Sequence, residues 1–254
     1  MSLDPARLAF GLLSVLPAGM PAKVDRTVGR RAMLLAPVVG AVLGGIAAGV
    51  VALVQLLRPD ADLLAAVLAI LVVAGLSGGL HLDGLADFAD ALGSRRDRET
   101  MLRIMKQSDI GPFGVLSIVA VLLVDVAALT ACIQSGIGWQ AVLTATTASR
   151  LTLPWTCRTT VPSARPDGLG ALVAATVHPL VAALTTAAVL AAAVALTWLT
   201  LSSPLLACAV LLGPLTALAT THRARTALGG TTGDVLGAAI ELALPLTLLA
   251  LALT

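Results

Sequence analysis

The sequence predicts an all-α, polytopic membrane helical bundle of about seven transmembrane helices, with an acidic, amphipathic helical segment on one face. Three observations predict it. The 254-residue chain has a mean hydropathy of +0.98, is 58% hydrophobic and only 12% charged, and lacks Tyr altogether, a profile outside that of soluble globular proteins. Its Ala, Leu and Val residues form long runs that match the roughly 20 apolar residues needed to cross a bilayer. Its Lys and Arg residues fall on alternate connections between those runs. One domain spanning residues 1–254 accounts for the whole pattern.

The elements follow in order. Leu8 to Leu16 is apolar but too short to span before Pro17. It superficially resembles a signal-peptide core behind Arg7, yet Asp4 lies in the leader and a full-length span follows directly, so an interfacial or re-entrant element is predicted. Full spans are predicted at Ala32–Leu57, Leu63–Leu80, Phe113–Ile133, Trp139–Cys157, Val177–Thr200, Leu205–Thr221 and Val235–Thr254. Cys132, Cys157 and Cys208 lie in or at the ends of these spans without paired spacing, and read as small buried hydrophobes rather than a disulfide framework or a thiolate metal site.

Fourteen of the sixteen Lys and Arg residues fall in the N-terminal segment and in the connections near 81–112, 158–170 and 222–234. Arg58 marks the opposite side and Arg150 lies within a span. The positive-inside rule therefore predicts a cytoplasmic N-terminus, an external C-terminus after seven spans, and every motif-bearing loop on the cytoplasmic face. The formal charge of +2 is too small and dispersed to suggest nucleic-acid binding.

The polar content concentrates between His81 and Gly114. Asp83, Asp87, Asp90, Asp97, Glu99 and Asp109 are six of the fourteen acids, and Arg95, Arg96, Arg98, Arg103 and Lys106 accompany them. Asp83, Asp87 and Asp90 are spaced i, i+4, i+7, so on a helix they occupy an arc of roughly 60° over about 10 Å. Like charges so placed destabilise a helix, more so at a membrane boundary, unless cations neutralise them. Carboxylates on such a scaffold suit Mg²⁺, which completes its shell with water and phosphate oxygens. The alternative is a solvated face pairing with Arg95, Arg96 and Arg98. His81 is open to three roles: base, phosphate hydrogen-bond donor or helix-entry residue. Glu99 to Gln107 reads as a helix lying in the interface, after which Ser108 to Pro112 breaks the chain and returns Asp109 towards the same boundary.

Three further sites are predicted on that face. The turn Gly229-Gly230-Thr231-Thr232-Gly233-Asp234 feeds a helix N-terminus, where backbone N–H groups cradle an anion; Asp234 is open to capping the helix or to holding a second metal. Glu241 projects from the same helix face inside the span and is expected to face a polar cavity. Arg150, at similar depth, is expected either to pair with Glu241 or to reach substrate. Arg165, in Ser163 to Gly170, is a guanidinium fork suited to a diphosphate. Asp125 has no assignment beyond an inter-helix hydrogen bond.

Together these segments resemble the cobalamin synthase family, adenosylcobinamide-GDP ribazoletransferase. The resemblance rests on Gly79-Leu-His81-Leu-Asp83-Gly84-Leu-Ala-Asp87, on the run from Arg103 through Met105, Lys106, Ser108 and Asp109 to Gly114, on Ala164-Arg165-Pro-Asp-Gly168-Leu-Gly170, and on Gly230-Thr-Thr232-Gly233-Asp234-Val-Leu236-Gly237-Ala238. These stand in the expected order over nearly the whole chain, and the local departures at Ile110 to Pro112 and after Glu241 leave the acidic motif intact. The resemblance implies a Mg²⁺-dependent, multi-pass transferase of a bacterial inner membrane. Such an enzyme joins adenosylcobinamide-GDP to α-ribazole or its 5′-phosphate and releases GMP. Asp83, Asp87 and Asp90 are then expected to hold Mg²⁺ on the diphosphate. Arg165 and Gly230, Thr232, Gly233 and Asp234 secure its other oxygens, with Asp109 and Arg150 as further candidates for substrate contact. His81 or a carboxylate accepts the hydroxyl proton. The expected partners are the two small-molecule substrates and the lipid bilayer; a homo-oligomer stays open.

Rival readings fit less well. CDP-alcohol phosphotransferases require Asp-x2-Asp-Gly-x2-Ala-Arg, and prenyltransferases require an Asn before the first aspartate motif, whereas this chain contains no Asn. A corrinoid or cation transporter would show internal repeats and midplane polar sites.

Overall fold

The computed structural model describes residues 3–201 and 204–254, with the side chains of residues 201 and 204–206 left aside. Among the described residues the chain is helical, with two isolated β-bridges and no strand. The helices are α1 (Asp4–Leu13), α2 (Arg26–Leu57), α3 (Asp62–Leu76), α4 (Leu80–Gly93), α5 (Arg98–Ile104), α6 (Pro112–Gln134), α7 (Gly138–Arg150), α8 (Thr152–Thr156), α9 (Gly168–Val173), α10 (Pro179–Leu201), α11 (Leu212–Leu228) and α12 (Gly233–Ala252).

Among the described residues four helices, α2, α6, α10 and α12, are long and apolar enough to cross a membrane, and the bent pair α3–α4 passes the same test together, as in a multi-pass membrane protein. The count differs from seven because three predicted spans are interrupted. Gly78 and Gly79, both at positive φ, end α3 and turn the chain by 86° into α4, so the Leu63–Leu80 run becomes a bent pair. Pro154 has no N–H for the Arg150 carbonyl, and the Trp139–Cys157 run divides into α7 and α8. The Leu205–Thr221 run begins as 3-10 helix over Pro204–Leu211 and continues as α11 well past Thr221. The short N-terminal element is α1, whose Leu8, Ala9 and Leu13 are buried in a cluster with Ala32, Met33 and Ala36 of α2. Cys132 and Cys157 are buried as expected, whereas Cys208 is exposed.

Helices α2 and α7 form the most extensive helix–helix contact in the apolar interior. A Cβ on Gly40 of α2 would lie 2.6 Å from the Thr146 carbonyl oxygen, and one on Gly44 would lie 3.0 Å from Leu143 Cα, so the two backbones nearly touch. Around this contact Val51, Ala65, Ile70, Leu129, Val142 and Leu248 form one apolar cluster, drawn from five helices.

At one end of the bundle the cation-bearing connections meet. Arg26 donates to the carbonyls of Ala171 and Ala174, Arg98 to that of Ala164, and Arg165 to that of Leu102. Thr231 and Ala164 exchange backbone hydrogen bonds with the 162–164 and 231 segments, at 2.8 Å each. The alternation of charge in the sequence thus corresponds to one physical face.

The glycine contacts give a comparison within a single helix. Gly40→Val is expected to cost about 1–3 kcal/mol through overpacking against α7, read as a lowered thermal-unfolding midpoint in detergent. Gly45→Val, at a position with nothing within 4 Å, should leave the midpoint nearly unchanged.

Candidate active site

The site is assembled by close approach of α4 to the start of α12. A Cβ on Gly84 would lie 2.9 Å from the Asp234 carbonyl oxygen, and one on Gly237 would lie 3.1 Å from His81 Cα. Only glycines allow these helices so near each other. Beside them, α9 reaches the same point through Gly170, where a Cβ would lie 2.9 Å from Thr232 Cα.

Between these elements lies a cavity of about 430 Å³, bordered by His81, Asp83, Lys106, Ser163, Arg165, Asp167, Thr232, Gly233 and Asp234. Its remaining wall is apolar and includes Leu12 and Leu13 of α1, Met33, Leu80, Leu153, Leu236 and Ile240. His81 and Asp83 of the acidic motif, the Arg165 loop and the turn before α12 therefore line one chamber, although His81 and Asp234 stand 153 residues apart in the chain.

The carboxylates divide by environment. Asp83 is exposed and borders the cavity, whereas Asp87, one helical turn on, is half-buried and is not part of its lining. The Asp87 carboxyl, on a helix outside the four spanning ones, is pushed up to about 7, first by burial and then by Asp83, Asp234 and Asp90, with Arg165 opposing. Asp234 thus joins the acidic stripe in space. Asp90 does something else: its two oxygens accept from Gly111 N at 2.7 Å and Gly114 N at 2.9 Å, capping the first turn of α6. Like Asp87 it borders no described cavity, and what distinguishes it within the expected Asp83/Asp87/Asp90 set is that two backbone N–H groups already occupy its oxygens.

Arg165 is held on two sides. Its Nη2 donates to the Leu102 carbonyl at 2.8 Å, its Nη1 lies 3.6 Å from Asp234 Oδ2, and its Nε has no partner among the described residues. Thr232 is the N-cap of α12, accepting from Val235 N and donating to Asp234 Oδ2. Gly233 borders the cavity at the head of that helix, where first-turn N–H groups suit an anion. Gly230 does not act as a cradle: a Cβ there would lie 2.8 Å from Ala164 N, so its place in the sequence reflects tight packing on the 162–164 segment.

Three expected residues lie elsewhere. Asp109 is exposed and borders none of the described cavities. Arg150 is fully buried in the bundle interior, away from the cavity lining, and donates to Ser149 Oγ. Arg150 and Glu241, for which pairing was one expectation, make no contact within ion-pair distance, although each lies in the other's field; Glu241 Oε1 lies 3.8 Å from His81 Nδ1. Lys106, Ser163 and Asp167 are cavity residues that the sequence pattern did not single out for this role, since each reads as an ordinary polar loop or interface residue until the loops are brought together.

Residues 5–252 match the family model described as cobalamin-5-phosphate synthase. The chain belongs to the cobalamin-5-phosphate synthase family. It is 40% identical to a protein of Frankia casuarinae, covering 98% of this chain and 94% of the relative. It is 39% identical to one of Nocardioides sp., covering 97% of each, and 35% identical to one of Rhizobium etli, covering 99% and 96%. All three relatives are named adenosylcobinamide-GDP ribazoletransferase. No solved structure matches the chain. Within this family's chamber, the donors present suit a hard cation. Among the described residues no three acid, His or Cys side chains converge as a complete cage, and Asp83, Asp87 and Asp234 repel one another. Asp83 and Asp234, which border the chamber, are oxygen donors of the kind a hard cation accepts one or two of, with water and phosphate completing its shell.

Asp83 and Asp90 should respond oppositely when neutralised. Asp90→Ala is expected to lose about 1–3 kcal/mol by stripping α6 of its charge-assisted cap, whereas Asp83→Asn removes one of the like charges around Asp87 and should raise the unfolding midpoint in metal-free detergent solution.

Proposed function

We propose that this protein joins adenosylcobinamide-GDP to α-ribazole, or to its 5′-phosphate, giving adenosylcobalamin or its phosphate and GMP. The observation that carries this reading is the chamber itself. In a chain matched by its family over nearly its whole length, it brings Asp83 and Asp234 against Arg165 at the cation-bearing end of a membrane bundle. An acid-lined pocket with one guanidinium suits a diphosphate that arrives with a metal ion better than a free anion.

A ribose hydroxyl oxygen attacks the phosphorus bonded to the cobinamide aminopropanol arm, and the bridging P–O bond breaks. GMP departs with that electron pair. The hydroxyl proton passes to His81, which lines the chamber with both ring nitrogens free of hydrogen-bond partners among the described residues. Arg165 and the first-turn N–H groups of α12 bind the diphosphate oxygens on which charge accumulates. Asp83 and Asp87, with Asp234, would hold Mg²⁺. When bound, that ion neutralises the diphosphate and eases departure of GMP. The apolar wall offered by α1 and Met33 suits the apolar parts of a corrinoid. On this reading the chamber faces the cytoplasm of a bacterial inner membrane, an orientation that the alternation of Lys and Arg along the chain supports.

Purified protein in lipid, supplied with adenosylcobinamide-GDP, α-ribazole and Mg²⁺, is expected to release GMP; absence of GMP would sink the assignment. Asp83→Asn and Asp87→Asn should each lower kcat by about 100-fold or more while membrane insertion is unchanged. Because the Asp87 carboxyl takes up its proton near pH 7 and that proton competes with the metal, apparent Mg²⁺ affinity should tighten from pH 6 to pH 8. A Mg²⁺ titration of tryptophan fluorescence measures this, and the pH dependence should flatten in Asp87→Asn.

A further inference from the structure

Beneath the chamber, four ionisable side chains from four helices are buried together: His81 on α4, Asp125 on α6, Arg150 on α7 and Glu241 on α12. Such groups are costly inside a membrane protein and are retained where they serve the site. Their hydrogen bonding is incomplete: His81 Nδ1 and Nε2, both Asp125 oxygens, and Arg150 Nε and Nη2 have no partner among the described residues. Glu241 and Asp125 are the acids whose fields reach the Arg150 guanidinium.

The geometry singles out one pair within this cluster. Gly237 permits α12 to pack directly on the backbone of His81. One helical turn further, on the same face of α12, Glu241 presents Oε1 at 3.8 Å from His81 Nδ1, with both side chains less than 8% exposed. That separation is longer than a hydrogen bond, as is common for catalytic pairs before substrate is bound. His81 alone of the four also lines the chamber.

We propose that Glu241 is the positioning residue for His81: its carboxylate, balanced by the buried Arg150 guanidinium, accepts from Nδ1–H and leaves Nε2 to receive the substrate hydroxyl proton. Glu241 itself touches no substrate. Arg150 keeps the acid tolerable at this depth, since a lone carboxylate would be strongly disfavoured there. The role assigned to His81 rests on the function proposed above.

Two measurements decide it. In the GMP-release assay, Glu241→Gln should lower kcat by at least about 10-fold with KM for adenosylcobinamide-GDP changed less than about 2-fold. The His81→Ala/Glu241→Gln double variant should be no slower than His81→Ala, because the two residues act as a unit. Effects that multiply in the double variant, or a KM that moves with kcat, would overturn the proposal. The chain contains only three histidines, so ¹⁵N-histidine labelling isolates His81 by its loss in His81→Ala. Wild-type protein should show a single Nδ1–H tautomer, and Glu241→Gln should change it while the signals of His178 and His222 stay in place. An unchanged His81 signal would also overturn the proposal. Should the glutamine variant fail to fold, Glu241→Asp, which withdraws the carboxylate by one methylene, carries the same predictions. A wild-type protein that releases no GMP defeats the reaction and not the contact, because the tautomer is read without turnover.

Discussion

The site depends on the backbone contact between α4 and α12. Gly84 against Asp234 and Gly237 against His81 bring the two helices together at their chamber ends. This contact sets Asp234 within the field of Asp87, brings Glu241 to His81, and fixes where the 162–164 segment must lie to exchange hydrogen bonds with Thr231. Arg165 follows that segment and is thereby delivered to Asp234. A side chain at either glycine would push against backbone, which cannot rotate away as a flexible side chain can.

Much of this was legible in the sequence, and the rest was not for definite reasons. Period and composition identified α2, α6, α10 and α12, because a long apolar helix declares itself by length alone. Hydropathy does not register Gly78-Gly79, Pro154 or the 3-10 start at Pro204–Leu211, so three runs read as continuous helices where the backbone changes course or form. The i, i+4 relation of Asp83 and Asp87 was visible because it is local. Asp90 shares their stripe by periodicity, yet two N–H groups from Gly111 and Gly114 claim it, and those donors come from a different helix. The meaning of the motif glycines was likewise hidden: Gly84, Gly170, Gly230 and Gly237 are explained by what faces them, which spacing does not disclose.

The charged groups form two levels with different chemistry. At the rim, Asp83, Asp234, Lys106, Arg165 and Asp167 border the chamber, where water and ligand are able to adjust around them. Below it, Asp125 and Arg150 are nearly or fully buried and incompletely bonded. His81 joins the levels, since it borders the chamber and touches Glu241. Its position two residues ahead of Asp83 on α4, about half a turn round the helix, makes α4 a rigid ruler between the acid cluster and the interior pair.

The Arg165–Asp234 contact carries a consequence for selectivity. Arg165 is already neutralised before any ligand arrives, so an incoming anion must exchange places with a carboxylate rather than occupy a vacant cation. Exchange of this kind discriminates by valence. A monoanion replaces one negative charge with another and gains little, while a polyanion accompanied by a divalent ion satisfies Arg165 and Asp234 at once. The resting pair therefore favours polyvalent, metal-accompanied anions over inorganic phosphate and simple carboxylates.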